Sequence, residues 1–393
     1  MKKIEMRWEL NGLRWMPSES QSTLFQLEIT RTKNGDHSPG WNVFFAIGNF
    51  CIVEFGRYNI HHEEPEMDVA DGLTSQIVQG AILGHLVADA VGTPYEFKEP
   101  HEIPAYDQID MIPPEGYKKS WSRWPLAIWS DDGSQMLNLV EYYLERKKSA
   151  KAWFNDWAER LVRWYDGHLW VDGKSFDAGI QTKQAIMQLK EGVHPFTAAR
   201  NHEFANGNGS LMRCLPTALF CLDYSDEGFF KEVEGISYIT HPHPLSKIAC
   251  VFYCDIARQL IKKVPLDDAI NRVSTKLLSY YKGDELDWCR KVLDGEKLTP
   301  TGHGYVVDAL WSAIHCLRVT DNYRDCVKTA IALGHDTDTT ACIAGGLAGI
   351  IYGASSIPKE WIASVASHKT FNDQVLPLIS RTEEMVNLGV KLG

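Results

Sequence analysis

Two short stretches of this 393-residue chain gather the side chains best suited to chemistry. One is Leu333-Gly334-His335-Asp336-Thr337-Asp338-Thr339-Thr340, where two carboxylates and neighbouring hydroxyls stand just before a run of small apolar residues. In an extended segment alternate side chains share a face, so Asp336 and Asp338 are expected to converge on one object, a metal ion. The other stretch is Trp129-Ser130-Asp131-Asp132-Gly133-Ser134-Gln135, at the start of an expected helix, since Met136, Leu139, Val140 and Tyr143 follow at helical spacing. In an extended segment adjacent Asp131 and Asp132 face opposite sides, so each can serve a different ion of a pair. Four aspartates with Ser130 and Thr339 offer hard oxygen donors and neither imidazole nor thiolate, which suits Mg²⁺, Mn²⁺ or Ca²⁺ rather than zinc. Two divalent cations would balance four carboxylates. Helix capping explains any one of these residues, but not both clusters together.

The elements that must position these residues are helical. Ala341 to Ile351 is apolar or small on every face, which predicts a helix buried all round, with Gly345 and Gly349 admitting close neighbours and Gly353 as a stop. The stretch Ile77 to Val91 carries Gly80, Ala81, Gly84, Ala88 and Ala90 and is expected to pack in the same way. The turn Gly92-Thr93-Pro94-Tyr95-Glu96-Phe97 then places Glu96 directly after a buried helix, which makes it a further candidate carboxylate. Residues 98 to 128 hold five prolines and no helical period, and a loop of that length in a compact domain is usually functional or mobile. Trp153, Trp157, Leu161 and Trp164 form a core stripe, and the glycine-interrupted segment Asp172 to Thr182 leads into another helix. In Asn206-Gly207-Asn208-Gly209-Ser210-Leu211-Met212-Arg213 the glycines let backbone N–H groups approach a ligand, and as the opening of a helix this segment suits a diphosphate; an ordinary turn is the plainer alternative. His241, pinned by Pro242 and Pro244, is expected to begin a helix and either bond a phosphate or cap.

Composition narrows the function classes. With 44% hydrophobic and 23% charged residues the chain reads as globular, and its net charge of -11 leaves no basic surplus for nucleic acid. No signal peptide and no apolar run of bilayer length is visible, and none of the nine cysteines forms a Cys-x-x-Cys pair, so a cytoplasmic protein with reduced thiols is expected. Residues 1–73 differ in texture. Leu24 to Thr30, a turn at Asn34-Gly35-Asp36, Trp41 to Ile47 and Phe50 to Phe55 suggest a β-hairpin or small meander, and His61-His62-Glu63-Glu64-Pro65-Glu66 a linker. The expected organisation is therefore a β-rich extension over 1–73 and a mainly α domain over 74–393.

The combination resembles the ADP-ribosylglycohydrolase family. It is carried by Gly80 to Gly84 with Asp89 to Gly92 and Glu96, Ser130-Asp131-Asp132, Phe176 to Thr182, Gly207 to Arg213, Thr240-His241-Pro242, Gly304 to Asp308 and Asp336 to Thr339, in the family's order. The resemblance implies a compact all-α fold with two divalent metal ions, Mg²⁺ first and Mn²⁺ second. It implies Ser130, Asp131, Asp132, Asp336, Asp338 and Thr339 as metal ligands, and Gly207, Asn208, Gly209, Ser210 and His241 as substrate-binding residues. Asp131, Asp132 and Glu96 become the catalytic candidates, with Asp132 or Glu96 assisting proton transfer. Ser130 in place of the frequent Thr looks like the arginine-specific branch, whereas His335 stands where the family usually has Gly. A hydrolase with such an extension looks like the immunity-type ADP-ribosylarginine hydrolases paired with bacterial ADP-ribosyltransferase toxins, whose active site the extension also plugs. The expected substrates are ADP-ribosylated proteins and the expected partner a cognate toxin. A toxin-occluding protein with little hydrolysis, and a hydrolase of a serine or small-molecule linkage, are the alternatives.

Overall fold

The computed structural model describes the strands of residues 9–56 as backbone, and residues 74–146 and 152–387. The chain divides into two compact units, Met1–Met67 and Asp68–Gly393. In the first, strands β1 (Glu9–Arg14), β2 (Phe25–Lys33), β3 (Pro39–Ile47) and β4 (Cys51–Gly56) form one antiparallel sheet in the order β1-β4-β3-β2. Strands β2, β3 and β4 are the meander expected from the alternating pattern, with Leu27 opposite Phe45 and Phe45 opposite Val53. The expected turn at Asn34-Gly35-Asp36 and the linker around His61-His62 lie outside the described residues.

Among its described residues the second unit is built from helices, joined by loops that carry two isolated β-bridges. Its longer helices are α1 (Ser75–Gly92), α2 (Asp131–Glu145), α3 (Trp153–Tyr165), α4 (Ile180–Lys190), α5 (Asp226–Tyr238), α6 (Pro244–Ile261), α7 (Leu266–Tyr280), α8 (Asp284–Asp294), α9 (Val306–Val319), α10 (Tyr323–Ala332), α11 (Thr337–Tyr352), α12 (Lys359–Ala366) and α13 (Leu376–Asn387). No described helix is long and apolar enough to cross a membrane.

The centre of this unit is the pair α1 and α11, the most extensive helix contact in the chain. Both are buried on nearly every face, as their small-residue pattern requires. They run antiparallel: Gly80 meets Gly349, Gly84 meets Gly345, and Gly92 meets Asp338. A Cβ at Gly349 would stand 1.8 Å from the Gly80 carbonyl oxygen, so only glycine admits this approach. The Tyr323 hydroxyl donates to the Gly84 carbonyl at 2.5 Å, and the Thr337 hydroxyl to that of Gly92 at 2.9 Å.

That register brings the C-terminus of α1, and Glu96 after it, against the N-terminus of α11. Asp89, in the last turn of α1, accepts from Ser130 N at 3.0 Å and Gly133 N at 2.7 Å, which docks the N-terminus of α2 at the same place. One helix end and two helix starts therefore meet in the core. We expect Gly349→Ala to destabilise the protein by about 2–3 kcal/mol, overpacking outweighing the ~1 kcal/mol that Ala gains in helix propensity. A lower thermal midpoint would confirm this, and an unchanged one would mean the helices have room to separate.

Candidate active site

Where those ends meet lies a cavity of about 250 Å³ lined by Glu96, Asp131, Asp132, Asp177, Gly179, Ile180, Gln181, Thr182, Gly207, Asn208, Gly209, Met212, His241, Asp336 and Thr339. A larger groove of about 650 Å³ beside α3 and α4 gathers no comparable set of carboxylates. Both acidic stretches reach the cavity, but not as extended segments. Ser130 caps α2, accepting from Asp132 N at 3.2 Å, so Asp131 and Asp132 occupy one helical turn and line the same cavity rather than opposite sides. Asp336 holds the N-cap position of α11 and lines the cavity, whereas Asp338 lies in the first turn and is not among the lining residues, so a helix start rather than strand alternation sets their directions. The pair then divides. Asp336 Oδ2 accepts from Asn208 Nδ2 at 2.8 Å, whereas a carboxylate oxygen of Asp338 lies with those of Glu96 and Asp177 in a group whose members are within 4.8 Å of one another.

Asp177 is the residue that the cluster arguments passed over. It stands alone between Phe176 and Ala178 at a backbone φ of 57°, a left-handed conformation that turns the chain sharply. Its sequence signal was a carboxylate inside a glycine-interrupted segment, which spacing alone does not link to the other aspartates.

Ser130 does not line the cavity directly. Its hydroxyl donates to Asp132 Oδ2 at 3.1 Å, while Cys342 Sγ donates to Asp132 Oδ1 at 3.2 Å. Gln135 Nε2 donates to Asp131 Oδ2 at 3.1 Å, and Trp121 Nε1 to Glu96 Oε2 at 2.5 Å. His335, at φ 60°, keeps its bulk away from the cavity by stacking on His303 with ring centroids 3.7 Å apart, and its amide and carbonyl pair with Lys98 and Phe97.

The electrostatics follow from burial. Burial, then Asp132, pushes Asp89 up to about 8, and burial with Asp132 and Asp336 does the same to Asp177. Asp132 is pushed up to about 6 by burial and Asp336. Burial, followed by neighbouring carboxylates, holds Glu96, Asp131 and Asp338 well above the usual range, and burial raises Asp336. No Lys or Arg lines the cavity, and Asp338 Oδ2 is buried without a hydrogen-bond partner. Crowded hard oxygen donors, uncompensated negative charge and an orphaned carboxylate oxygen fit divalent cations of the Mg²⁺ class.

The rest of the lining is neutral. Arg213 Nη2 donates to Thr240 Oγ1 at 2.6 Å, and Thr240 Oγ1 lies 2.8 Å from His241 Nδ1. Since the guanidinium can only donate, the Thr240 proton is free to turn to Nδ1, an arrangement in which His241 carries its own proton on Nε2. Burial, then Arg213, holds His241 well below its ordinary pKa, so it is a neutral donor. Its ring lies over Gly209, where a Cβ would come within 2.8 Å of Cε1. Two expectations need correction. Residues 206–213 open no helix; turns follow them until the short helix Pro216–Phe220, so they lack a helix dipole. His241 begins none either, because His243 caps α6. Of the proposed substrate-binding residues, Gly207, Asn208, Gly209 and His241 line the cavity, but the Ser210 hydroxyl accepts from Ser237 Oγ at 2.8 Å in the core.

With this geometry in view, known proteins give a consistent picture. The ADP-ribosylglycohydrolase family model matches residues 72–387. The chain is 30% identical over 305 residues to the ADP-ribosylarginine hydrolase Tri1 of Serratia proteamaculans (strain 568), covering 75% of this chain and 76% of that protein. It is 29% identical over 329 residues to the Tri1 of the same description from Pseudomonas putida (strain GB-1), covering 80% and 81%. A solved structure described as an ADP-ribosylglycohydrolase-related protein complex shares the fold, with a TM-score of 0.63 at 23% identity over 79% of this chain and 98% of that one.

The raised carboxyls make a prediction for the metal-free protein. A folded chain that holds protons the unfolded chain has released loses stability as pH rises. Between the ordinary Asp value of 3.8 and the values of about 6 and about 8 for Asp132 and Asp177, stability should therefore fall with increasing pH. In EDTA the thermal midpoint should drop from about pH 5.5 to about pH 8.5, Asp177→Asn should lessen the drop, and Mg²⁺ should remove most of it. A midpoint that climbs across this range in EDTA would refute the assignment.

Proposed function

The chain belongs to the ADP-ribosylglycohydrolase family, and on that premise we propose that it hydrolyses the N-glycosidic bond between ADP-ribose and an arginine guanidinium on proteins, with two divalent cations, Mg²⁺ foremost. The observation that carries the reading is one cavity whose lining combines a cluster of carboxylates with neutral donors. That combination suits a ligand with hydroxyl-bearing ribose at one end and diphosphate at the other.

Asp131, Asp132, Asp336, Asp338 and Thr339 would hold the cations, with Ser130 orienting Asp132 and Glu96 beside them in its group with Asp338. When bound, the cations supply Lewis acidity and a fixed anchor for sugar hydroxyls. The backbone of Gly207 to Gly209 and the Nε2 proton of His241 serve the diphosphate. At the anomeric carbon the C–N bond breaks with its electron pair passing to the guanidine nitrogen, and a water oxygen forms the new C–O bond. Glu96 or Asp132 accepts the water proton, and the guanidine leaves protonated. Burial holds the Glu96 carboxyl well above the ordinary range, which makes it a stronger base than an ordinary carboxylate, and the proton it takes from water is the one it returns to the guanidine.

Purified protein with Mg²⁺ should release ADP-ribose from an ADP-ribosylarginine protein. EDTA should abolish release, and Asp336→Ala should lower kcat by about 10²-fold or more while the fold persists, as read by circular dichroism. No release with any divalent ion would refute the arginine reading. For residues 1–73 the proposal is an accessory element that binds and blocks a cognate ADP-ribosyltransferase toxin, a cytoplasmic immunity role supported by the separate sheet of β1 to β4 outside the family match. Deleting residues 1–73 should abolish toxin binding and spare hydrolysis; equal loss of both would point instead to a structural cap.

A further inference from the structure

The long loop over residues 98–128 contributes no residue to the cavity lining, yet it reaches the site at one point. Trp121 adopts a φ of 52°, a left-handed conformation unfavourable for a bulky aromatic residue and characteristic of places where surrounding structure imposes a geometry. Its indole N–H donates to Glu96 Oε2 at 2.5 Å. Its neighbour Ser120 grips the same turn from behind, donating its amide to the Pro94 carbonyl at 2.9 Å and its hydroxyl to the Glu96 carbonyl. The indole also meets the Phe176 ring edge-on, with centroids 5.3 Å apart. Phe176 is itself wedged against Trp124 at 4.7 Å and Trp170 at 5.6 Å.

Phe176 directly precedes Asp177, so one side chain touches both segments that deliver Glu96 and Asp177 to the group they form with Asp338. Without a constraint these two carboxylates repel each other and have no cationic side chain in the cavity to hold them. We propose that Trp121 is a positioning residue: by bonding one oxygen of Glu96 and bracing the Phe176–Asp177 segment, it fixes Glu96 where a divalent cation and the departing proton need it. The bond occupies Oε2 and leaves Oε1 free to serve the cavity. This inference rests on the cation-assisted hydrolysis proposed above, and its test reads cation binding separately from turnover.

Two substitutions separate the N–H from the ring. Trp121→Phe keeps an aromatic ring against Phe176 but removes the donor. Trp121→His places an imidazole Nε2–H at the position of the indole N–H. Binding of Mn²⁺ to the metal-free full-length protein is measured by calorimetry, and kcat and KM are measured on an ADP-ribosylarginine protein.

Trp121→Phe should weaken Mn²⁺ binding about fivefold or more and lower kcat about tenfold or more, with KM for the protein substrate within about threefold. Trp121→His should recover most of both. In a Glu96→Ala background, Trp121→Phe should have no further effect on Mn²⁺ affinity, because a residue that acts through another loses its influence when that other is gone. Unchanged Mn²⁺ binding in Trp121→Phe overturns the proposal, as does equal damage in Trp121→His or a full additional loss in the Glu96→Ala background. Absence of Mn²⁺ binding by the unsubstituted protein overturns it too. Failure to cleave the arginine linkage, with the Mn²⁺ pattern intact, removes the arginine reading and leaves the role of Trp121 standing.

Discussion

Negative charge packed into an apolar core is the constraint on which this structure depends. Asp89, Glu96, Asp131, Asp132 and Asp338 are buried, Asp177 and Asp336 are half-buried, and no cationic side chain lines the cavity. Charge in a low-dielectric setting is tolerated only where fixed dipoles, hydrogen bonds or a counter-ion meet it. The fold meets part of it with backbone N–H groups at the starts of α2 and α11, whose dipoles favour carboxylates. Asp89 receives two such groups, those of Ser130 and Gly133, and acts as a buried staple rather than as a cavity residue. The remaining charge would favour the divalent cations proposed above.

Bringing helix starts into a core is difficult, because each carries unpaired backbone donors that need partners. The glycine contacts between α1 and α11 solve the geometric half of that problem. Their antiparallel register fixes where α11 begins relative to where α1 ends, and a shift of one residue in either helix would separate Glu96 from Asp338. Paired loops complete the arrangement: Lys98 bridges His335, Asp336 N donates to the Gly302 carbonyl at 2.9 Å, and Gly207 bridges Tyr305. The cavity is thus closed by short backbone pairings between segments far apart in sequence.

How much of this was legible in the sequence follows from the same physics. The helices α1 and α11 could be read because an all-round small and apolar pattern has few other homes, and the two acidic stretches because clustered carboxylates before a buried helix need a reason. The direction of individual side chains could not. Asp131 and Asp132 share a cavity because capping by Ser130 winds them into a helix, and capping is a tertiary outcome once Asp89 holds the same turn. Asp177 was hidden because its φ of 57° reverses the chain locally, so sequence distance says nothing about proximity. Ser210 sits in a motif that reads as ligand-facing, yet its hydroxyl finds Ser237 in the core. Trp121 was visible only as one aromatic residue in a long loop.

The cavity lining holds both carboxylates and neutral donors, and Arg213 links members of both sets. Fully buried, it donates through Nη1 to Gln135 Oε1 at 2.7 Å and to the Gly209 carbonyl at 3.1 Å, and through Nη2 to Thr240. Gln135 passes the bond to Asp131, and Thr240 passes it to His241. A single guanidinium therefore orients a carboxylate and an imidazole of the same lining. Among the described residues it bonds no carboxylate directly, and neutral intermediaries link it to both Asp131 and His241. Burial lowers Arg213 to about 10, which still leaves it charged at neutral pH. On the function proposed above, the positive charge of Arg213 behind His241 and Gly209 and the carboxylates elsewhere in the lining would set, before any ligand arrives, which end of an ADP-ribosyl group each part of the cavity favours.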